Sequence, residues 1–412
     1  MSARRLNKPL KTYLIVTPFF PSPVSWRGAY CYDFVVALRK VLGANWRVEV
    51  FVPGNGEDFE IGNVLVHRFP QKILPSNIFP FLYRCRNEEA FLAAIDHAGI
   101  PLNNIAICHA HTANFAIYPL SVQQLNPACK TLLHHHDLMS FGLNLGRFNH
   151  WGLYNNFLAR QLKELHEQID IHVFISRLCE KSFRSFPNVD WLGDDDYSAQ
   201  ARGVKRLLPV NVKQSIVLHN GVNTEIFSPS ETGRQNSDNI VIGCVGNISI
   251  EKGQYDLLEA IEIVNRRLLS EHAKKHVKVR FVGSGRALKQ CKKFVNEHRI
   301  DVEFLQEMRH EKLADFYRGL DLFILPTWLD GFGCVYTEAY ACGVPFIATT
   351  RAGVEELIPE SDRELWLVEP HDVERLAKCI LSFVKNRPHQ KLKSAIDIQT
   401  LVQEFAKSLG CF

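Results

Sequence analysis

The stretch PTWLDGFGCVYTEAYACGVPFIATT, residues 326–350, holds a strand end, a glycine turn, a short helix and a second strand. The apolar run DLFILP ends at Pro326, and the chain turns through Asp330, Gly331, Phe332 and Gly333. A helix is expected from Cys334 to Cys342, where Gly343 suits a left-handed cap and Pro345 prevents continuation. The glycines let the backbone approach a ligand, and the amides of the first helical turn, Cys334 and Val335 among them, suit an anion, with phosphate the natural occupant. Glu338 lies one turn deeper on the face of Cys334. A carboxylate there repels phosphate but accepts hydrogen bonds from sugar hydroxyls, as acidic residues do for ribose. The alternative for Glu338 alone is a solvated helix start.

The same strand–helix alternation runs through the whole chain. TYLIVTPF, RVEVFVP, NVLVHRF, NIAICHAH, KTLLHHH, IHVFIS and SIVLHN read as strands of a first half, and AYCYDFVVALRKVLG reads as a helix. NIVIGCVG, HVKVRFVG, VEFL, DLFILP, PFIATT and ELWLVEP repeat the pattern in a second. Alternation of this kind implies mainly parallel sheets covered by helices. FSPSETGRQNSDN, 227–239, is polar and reads as a linker. The expected organisation is a Rossmann-like domain at 1–226, the linker, and a second Rossmann-like domain at 240–390. A terminal helix within 391–412 is expected to pack back on the first domain. Ligands of such sheets bind at the carboxyl ends of the strands, here in a cleft between the domains. FPNVDWLGDDDYSAQARG is expected to be a surface insertion.

Composition narrows the classes. A chain of 412 residues fits two domains at about 100–200 residues each. With 46% hydrophobic and 22% charged residues it reads as globular, and a net charge of +4 is far from a nucleic-acid signature. The 11 cysteines are scattered, with no CxxC pair, which indicates reduced thiols in a cytosol. The N-terminal apolar run is brief and ends in Pro18, so a first buried strand is expected there rather than a signal peptide. No apolar run reaches the ~20 residues that cross a bilayer.

The 326–350 string resembles the EGFGxxxxEAxACGxP signature of family-4 retaining glycosyltransferases (glycosyl transferases group 1), whose fold is GT-B. Asp330 stands where the family has the first Glu of its E-x7-E pair, and Glu338 matches the second. The resemblance implies that the first acid and the amides after it hold the donor sugar, and that the second binds the ribose. VGNISIEKGQYDLLEAI resembles the family's Lys-Gly loop. Lys252 matches the lysine that neutralises the donor diphosphate, and Asn247 replaces the usual Arg. VRFVGSGRAL, with Gly283, resembles the glycine turn near the nucleotide. VLHNGVNTEIFSP resembles NGVDxxxFxP, and Glu356 matches the acid of the GGxPE loop. In PFFPSPVSWRGAYCYDF, Gly28 matches one glycine of a Gly-Gly turn near the diphosphate, and Arg27 replaces the other and could stand in for the lost cation. His136, before Asp137, matches the family's HD position near the reacting sugar. The likeness is specific over 241–369 and looser before 215.

The resemblance implies a hexosyltransferase that moves a sugar, with retention, from a nucleotide-diphosphate donor to a glycan or lipid-linked glycan, in cell-surface polysaccharide synthesis. Alternatives are a GT-B hydrolase or epimerase on nucleotide sugars, and a non-catalytic nucleotide-sugar-binding protein. No cofactor and no metal are expected. Neighbours on a strand alternate faces, so His134, His135 and His136 cannot converge on one ion. Asp194, Asp195 and Asp196 read as a solvated loop rather than a metal-binding DxD. In SNIFPFLYRCRNEEAF, Phe79, Phe81, Leu82 and Tyr83 adjoin Arg84 and Arg86, a mixture that suits a bilayer interface or a buried helix start. The expected location is cytoplasmic, with peripheral contact at the inner face of the membrane. Donor sugar, base, acceptor and oligomeric state are not legible.

Overall fold

The computed structural model describes residues 10–23, 25, 28–72, 84–138, 152–193, 198, 201, 204, 209–230 and 239–412. The chain divides into two units, Met1–Ile175 with Cys179–Leu218 and Val402–Phe412, and Ser176–Leu178 with His219–Leu401. The division falls at Leu218/His219, ahead of the 227–239 stretch read as a linker. Phe227 explains the difference, because this ring is buried in the second unit. Residues 231–238, Arg27, 73–83 and Asp194–Asp196 lie outside the described residues.

In the first unit the described strands form one sheet in the order β3-β4-β2-β1-β5-β6-β7-β8. Their bounds are β1 Lys11–Val16, β2 Trp46–Pro53, β3 Phe59–Ile61, β4 Val64–Phe69, β5 Ile105–His111, β6 Lys130–His135, β7 Ile171–Phe174 and β8 Ser215–Val217. All pairings are parallel except that of β3 with β4. The short edge strand β3 went unread because three residues carry no legible period. The central strands are continuous apolar runs because helices cover both faces. Helix α1 (Ala29–Leu42) buries Cys31, Phe34, Val35, Leu38 and Leu42. On α2 (Arg84–His97), Phe91 and Ile95 join a core with Leu14, Phe51, Phe69 and Tyr118. The stretch read as a surface insertion is anchored, since Val189 and Leu192 are buried. Apolar residues spaced for one short turn drew them in.

The second unit has the described order β11-β10-β9-β12-β13-β14, all parallel. Its strands are β9 Asn239–Val245, β10 His276–Val282, β11 Val302–Leu305, β12 Leu322–Ile324, β13 Phe346–Thr349 and β14 Leu367–Val368. ELWLVEP is not all strand, because Arg363–Trp366 forms a helical turn before β14. After α3 (Ile117–Leu125), α4 (Gly152–His166) and α5 (Arg177–Ser185), helices α6 (Gln254–Ser270), α7 (Leu288–His298), α8 (His310–Arg318) and α9 (Cys334–Ala341) follow β9, β10, β11 and β12 in turn. The terminal helix Ile398–Ser408 leaves the second unit after Leu401 and ends in the first, where Phe405 packs 6.1 Å from Phe34 and Lys130 donates to Leu409 O at 3.0 Å. Strand order reverses between β9 and β12, so the loops after these two strands meet at the switch point, where α/β sheets open a ligand crevice.

Candidate active site

The loop after β9 is held by backbone contacts that only glycine permits. A Cβ on Gly283 would lie 2.1 Å from Gly246 O, so the ends of β9 and β10 touch there. Gln254, fully buried, donates to Asn247 O at 3.0 Å and accepts from Ser249 N–H at 3.2 Å. Asn247 itself is exposed beside this loop. Lys252 closes the short turn Ile250–Lys252, and Gly253 follows at φ 70° with room for no side chain beneath Pro326 O. The loop is thereby pressed on the end of β12, and Lys252 Nζ reaches Asp330 Oδ2 in an ion pair.

Asp330 is occupied on both oxygens. Its Oδ1 accepts Phe332 N–H at 3.2 Å, closing a small side-chain turn that shapes 330–333. Its backbone accepts from Gly353 N–H at 3.0 Å and donates to Arg351 O at 3.1 Å. Gly333, at φ 82°, caps α9, and a Cβ there would strike the Tyr336 ring at 2.5 Å. Cys334 and half-buried Val335 begin the helix. Burial, with the Glu338 carboxylate nearby, pushes the Cys334 thiol up to about 12 against the pull of a hydrogen bond with Asn220. The thiol is therefore neutral and not a nucleophile. Glu338 is buried and accepts from Tyr317 Oη at 2.9 Å. Burial and that carboxylate hold the Tyr317 phenol well above its ordinary value, so it remains a donor.

Residues outside the quoted stretch back the turn. Ser176 Oγ donates to Gly331 O at 2.6 Å. The His219 ring stacks on Phe332 at 5.3 Å, and its Nε2 lies 2.8 Å from Glu356 Oε1. Glu356 also accepts from Arg177 N–H at 3.1 and 3.2 Å. Tyr317, Ser176 and His219 carried no signal in the sequence, because each acts through a fold-made contact rather than a local pattern.

In the first unit, buried Gly28 caps α1 at φ 91°, where a Cβ would meet Phe19 C at 2.7 Å. His136 follows β6, with Nε2 2.9 Å from His111 Nδ1, and burial pushes its imidazole down to about 3, leaving it neutral. The 134–136 triplet alternates as expected. His134 stacks on His136 at 4.2 Å, while His135 Nε2 turns to His172 Nδ1 at 2.9 Å. No converging set among the described residues holds all three histidines of the triplet, but sets drawn from different elements do converge. Cys31, His111 and His136 offer ligand atoms within 4.8 Å of one another, as do His109, His111 and His134. Alternation was applied to one strand, whereas these sets are drawn from β5, β6 and α1.

The second unit thus brings Lys252, Asp330, Gly331, Phe332 and Gly333 together, with Asn247 and Gly283 on the adjoining β9 and β10 loops. Glu338 is one turn deeper. Residues 228–397 match the family model described as Glycosyl transferases group 1. A GDP-mannose-dependent monoacylated alpha-(1-6)-phosphatidylinositol monomannoside mannosyltransferase of Corynebacterium glutamicum is 24% identical over 55% of this chain and 55% of that protein. A lipopolysaccharide core biosynthesis mannosyltransferase of Rhizobium meliloti is 26% identical over 48% of this chain and 58% of that protein. The chain spans about half the length of these curated relatives. The crystal structure of Anabaena HepE in complex with UDP and glucose is similar over 97% of this chain and 99% of that one, at a TM-score of 0.63 and 16% identity. Likeness at that identity is one of fold, and the fold is GT-B.

Proposed function

We propose, from the premise that this chain belongs through residues 228–397 to the glycosyl transferases group 1 family, that it moves a hexose from a nucleotide-diphosphate donor to an acceptor hydroxyl. The observation that carries this reading is the Lys252–Asp330 pair at the β9/β12 switch point, beside the first turn of α9. A cation and helix amides at one switch point suit a diphosphate, and a buried carboxylate one turn deeper suits ribose. Glycine at 283 keeps side-chain bulk away from the loop that carries Asn247. Asp330 holds Lys252 until the donor arrives and then faces the transferred sugar. His136 and Gly28 are assigned to the sugar and the diphosphate respectively.

Transfer proceeds with retention, by substitution on one face of the sugar. The bond from the anomeric carbon to the phosphate oxygen breaks, and a bond to the acceptor oxygen forms. The acceptor proton passes to the departing phosphate. Lys252 and the α9 amides stabilise the charge that develops on that phosphate. They do so without a metal, and no cofactor takes part. The acceptor is a lipid-linked glycan at the cytoplasmic face of a membrane, in cell-surface polysaccharide synthesis. The activities for which the two relatives are named, on a phosphatidylinositol mannoside and on lipopolysaccharide core, support that class. No described helix is long and apolar enough to cross a membrane, so contact would be peripheral.

The test offers UDP-, GDP- and dTDP-sugars with vesicles carrying lipid-linked glycans. The expected result is sugar transfer that survives EDTA, with the protein floating with the vesicles. Activity lost in EDTA and restored by Mg²⁺ or Mn²⁺ refutes metal independence. Donor turnover without acceptor makes the chain a hydrolase or epimerase, and tight donor binding without turnover makes it a binding protein. Protein left at the bottom of the gradient refutes membrane contact.

A further inference from the structure

The first unit holds a cluster of histidines that its own hydrogen bonds do not satisfy. His111 Nδ1 lies 2.9 Å from His136 Nε2 and 3.5 Å from Cys31 Sγ. An imidazole nitrogen carries either one N–H or one in-plane lone pair and makes one straight hydrogen bond, so it serves one of these two neighbours and not both. Around them, His109 Nε2, His111 Nε2, both nitrogens of His134 and His136 Nδ1 are buried with no partner among the described residues. His109, His111 and His134 are at most 3% exposed. Buried polar atoms without partners are rare, so the chain alone leaves this cluster poorly satisfied, and at its centre ligand atoms of Cys31, His111 and His136 converge within 4.8 Å of one another.

The spacing selects the ligand. Zn²⁺ binds thiolate at about 2.3 Å and imidazole at about 2.0–2.1 Å, and tetrahedral angles then put sulfur and nitrogen about 3.5 Å apart and two nitrogens about 3.3 Å apart. The observed 3.5 Å between Cys31 Sγ and His111 Nδ1 meets the first value, and the 2.9 Å between nitrogens needs a small opening to meet the second. The ligands come from the first turn of α1, the end of β5 and the residue after β6. Thr17 Oγ1, 3.9 Å from Cys31 Sγ, is placed to donate to a thiolate. Thiolate with imidazole is a donor set for a soft or borderline cation, not for Mg²⁺ or Ca²⁺.

We propose that Cys31 Sγ, His111 Nδ1 and His136 Nε2 bind one Zn²⁺ ion, which ties α1 to the ends of β5 and β6. Binding exchanges the Cys31 S–H bond for an S–Zn bond and releases the proton to solvent. The fourth position is left to an exchangeable ligand. Ligation also removes His136 Nε2 from hydrogen bonding, so the loaded chain is the inactive form of the transferase. That consequence rests on the function proposed above, whereas binding does not.

The test uses the full chain without a histidine tag, stripped with a chelator. Zn²⁺ is titrated against a chromophoric competitor, and Co²⁺ serves as the spectroscopic probe. The expected result is one ion per chain, a thiolate-to-Co²⁺ charge-transfer band, tetrahedral d–d bands and a raised unfolding temperature. Cys31→Ser should abolish the charge-transfer band. Cys31→Ser and His111→Gln should each weaken Zn²⁺ at least about tenfold. His97→Gln, an exposed histidine on α2, should change nothing. Absence of a stoichiometric ion in the wild type, or a band that persists in Cys31→Ser, overturns the proposal. Should one variant fail to fold by circular dichroism, the wild-type spectrum and the other variant decide.

Discussion

Asp330 and Glu338 are both carboxylates, but they keep different company. Asp330 holds a lysine and closes its own turn. Glu338 is buried behind it with one oxygen taken by Tyr317. If Glu338 accepts from ribose, Glu338→Gln loses a charged hydrogen bond worth roughly 1.5–3 kcal/mol. At about 1.4 kcal/mol per decade, free nucleoside diphosphate and whole donor should both bind about ten- to a hundredfold more weakly. Asp330→Asn should leave nucleoside diphosphate binding nearly unchanged, or tighten it by freeing Lys252, while turnover falls. Calorimetry with both ligands beside steady-state rates reads the contrast. Equal losses of nucleotide binding in the two variants would refute separate roles.

At the scale of elements, the site depends on how closely loops approach strand ends. Gly253 and Gly43 both have positive φ, 70° and 62°, Gly253 in the left-handed helical region and Gly43, at ψ −161°, in a region nearly restricted to glycine, so alanine at either costs roughly 1–3 kcal/mol of backbone strain. They differ in surroundings. A Cβ on Gly43 meets nothing within 4 Å, whereas one on Gly253 would lie 2.0 Å from Pro326 O. Gly253→Ala must therefore move the 246–253 loop off β12 and separate Lys252 from Asp330. The expected outcome is a larger fall in unfolding temperature than Gly43→Ala gives, with weakened nucleoside diphosphate binding only in Gly253→Ala. Thermal shift with and without nucleotide measures both. Indistinguishable variants would mean that the loop contact contributes nothing.

For the molecule as a whole, buried neutral histidines set an acid limit. Burial pushes His166 down to about 3 and His172 down to about 4. In the unfolded chain both titrate near 6.5. Between these values the unfolded state binds protons that the folded state refuses, so their stability is complete above pH 6.5 and is lost as pH falls. At pH 5 the loss is about 2 kcal/mol for each, or about 4 kcal/mol together. The urea midpoint of the first unit should therefore drop sharply between pH 7.5 and pH 5. His172→Phe, which keeps a ring beside Phe174, should remove about 2 kcal/mol of that drop, the rest remaining with the other buried histidines of this unit. A midpoint independent of pH would show that the two rings take up protons without unfolding.

Two doubly wound units, and the turn at 330–333 with its helix, were legible because their causes are local. Apolar runs bounded by glycine and proline make strands, and Gly333 and Gly343 bound the short helix that lies between them. The resemblance of 326–350 to a known signature added an expected partner for each acid, residue by residue. Other features follow from contacts between residues far apart in the chain. Lys252 meets Asp330 only because β9 and β12 are neighbours across a reversal of strand order. Tyr317 meets Glu338 only because α8 packs beside α9. The convergence of the cysteine and histidines of α1, β5 and β6 was not legible for the same reason. Alternation along one strand shows which side chains share a face, but sheet order decides which strands bring those faces together.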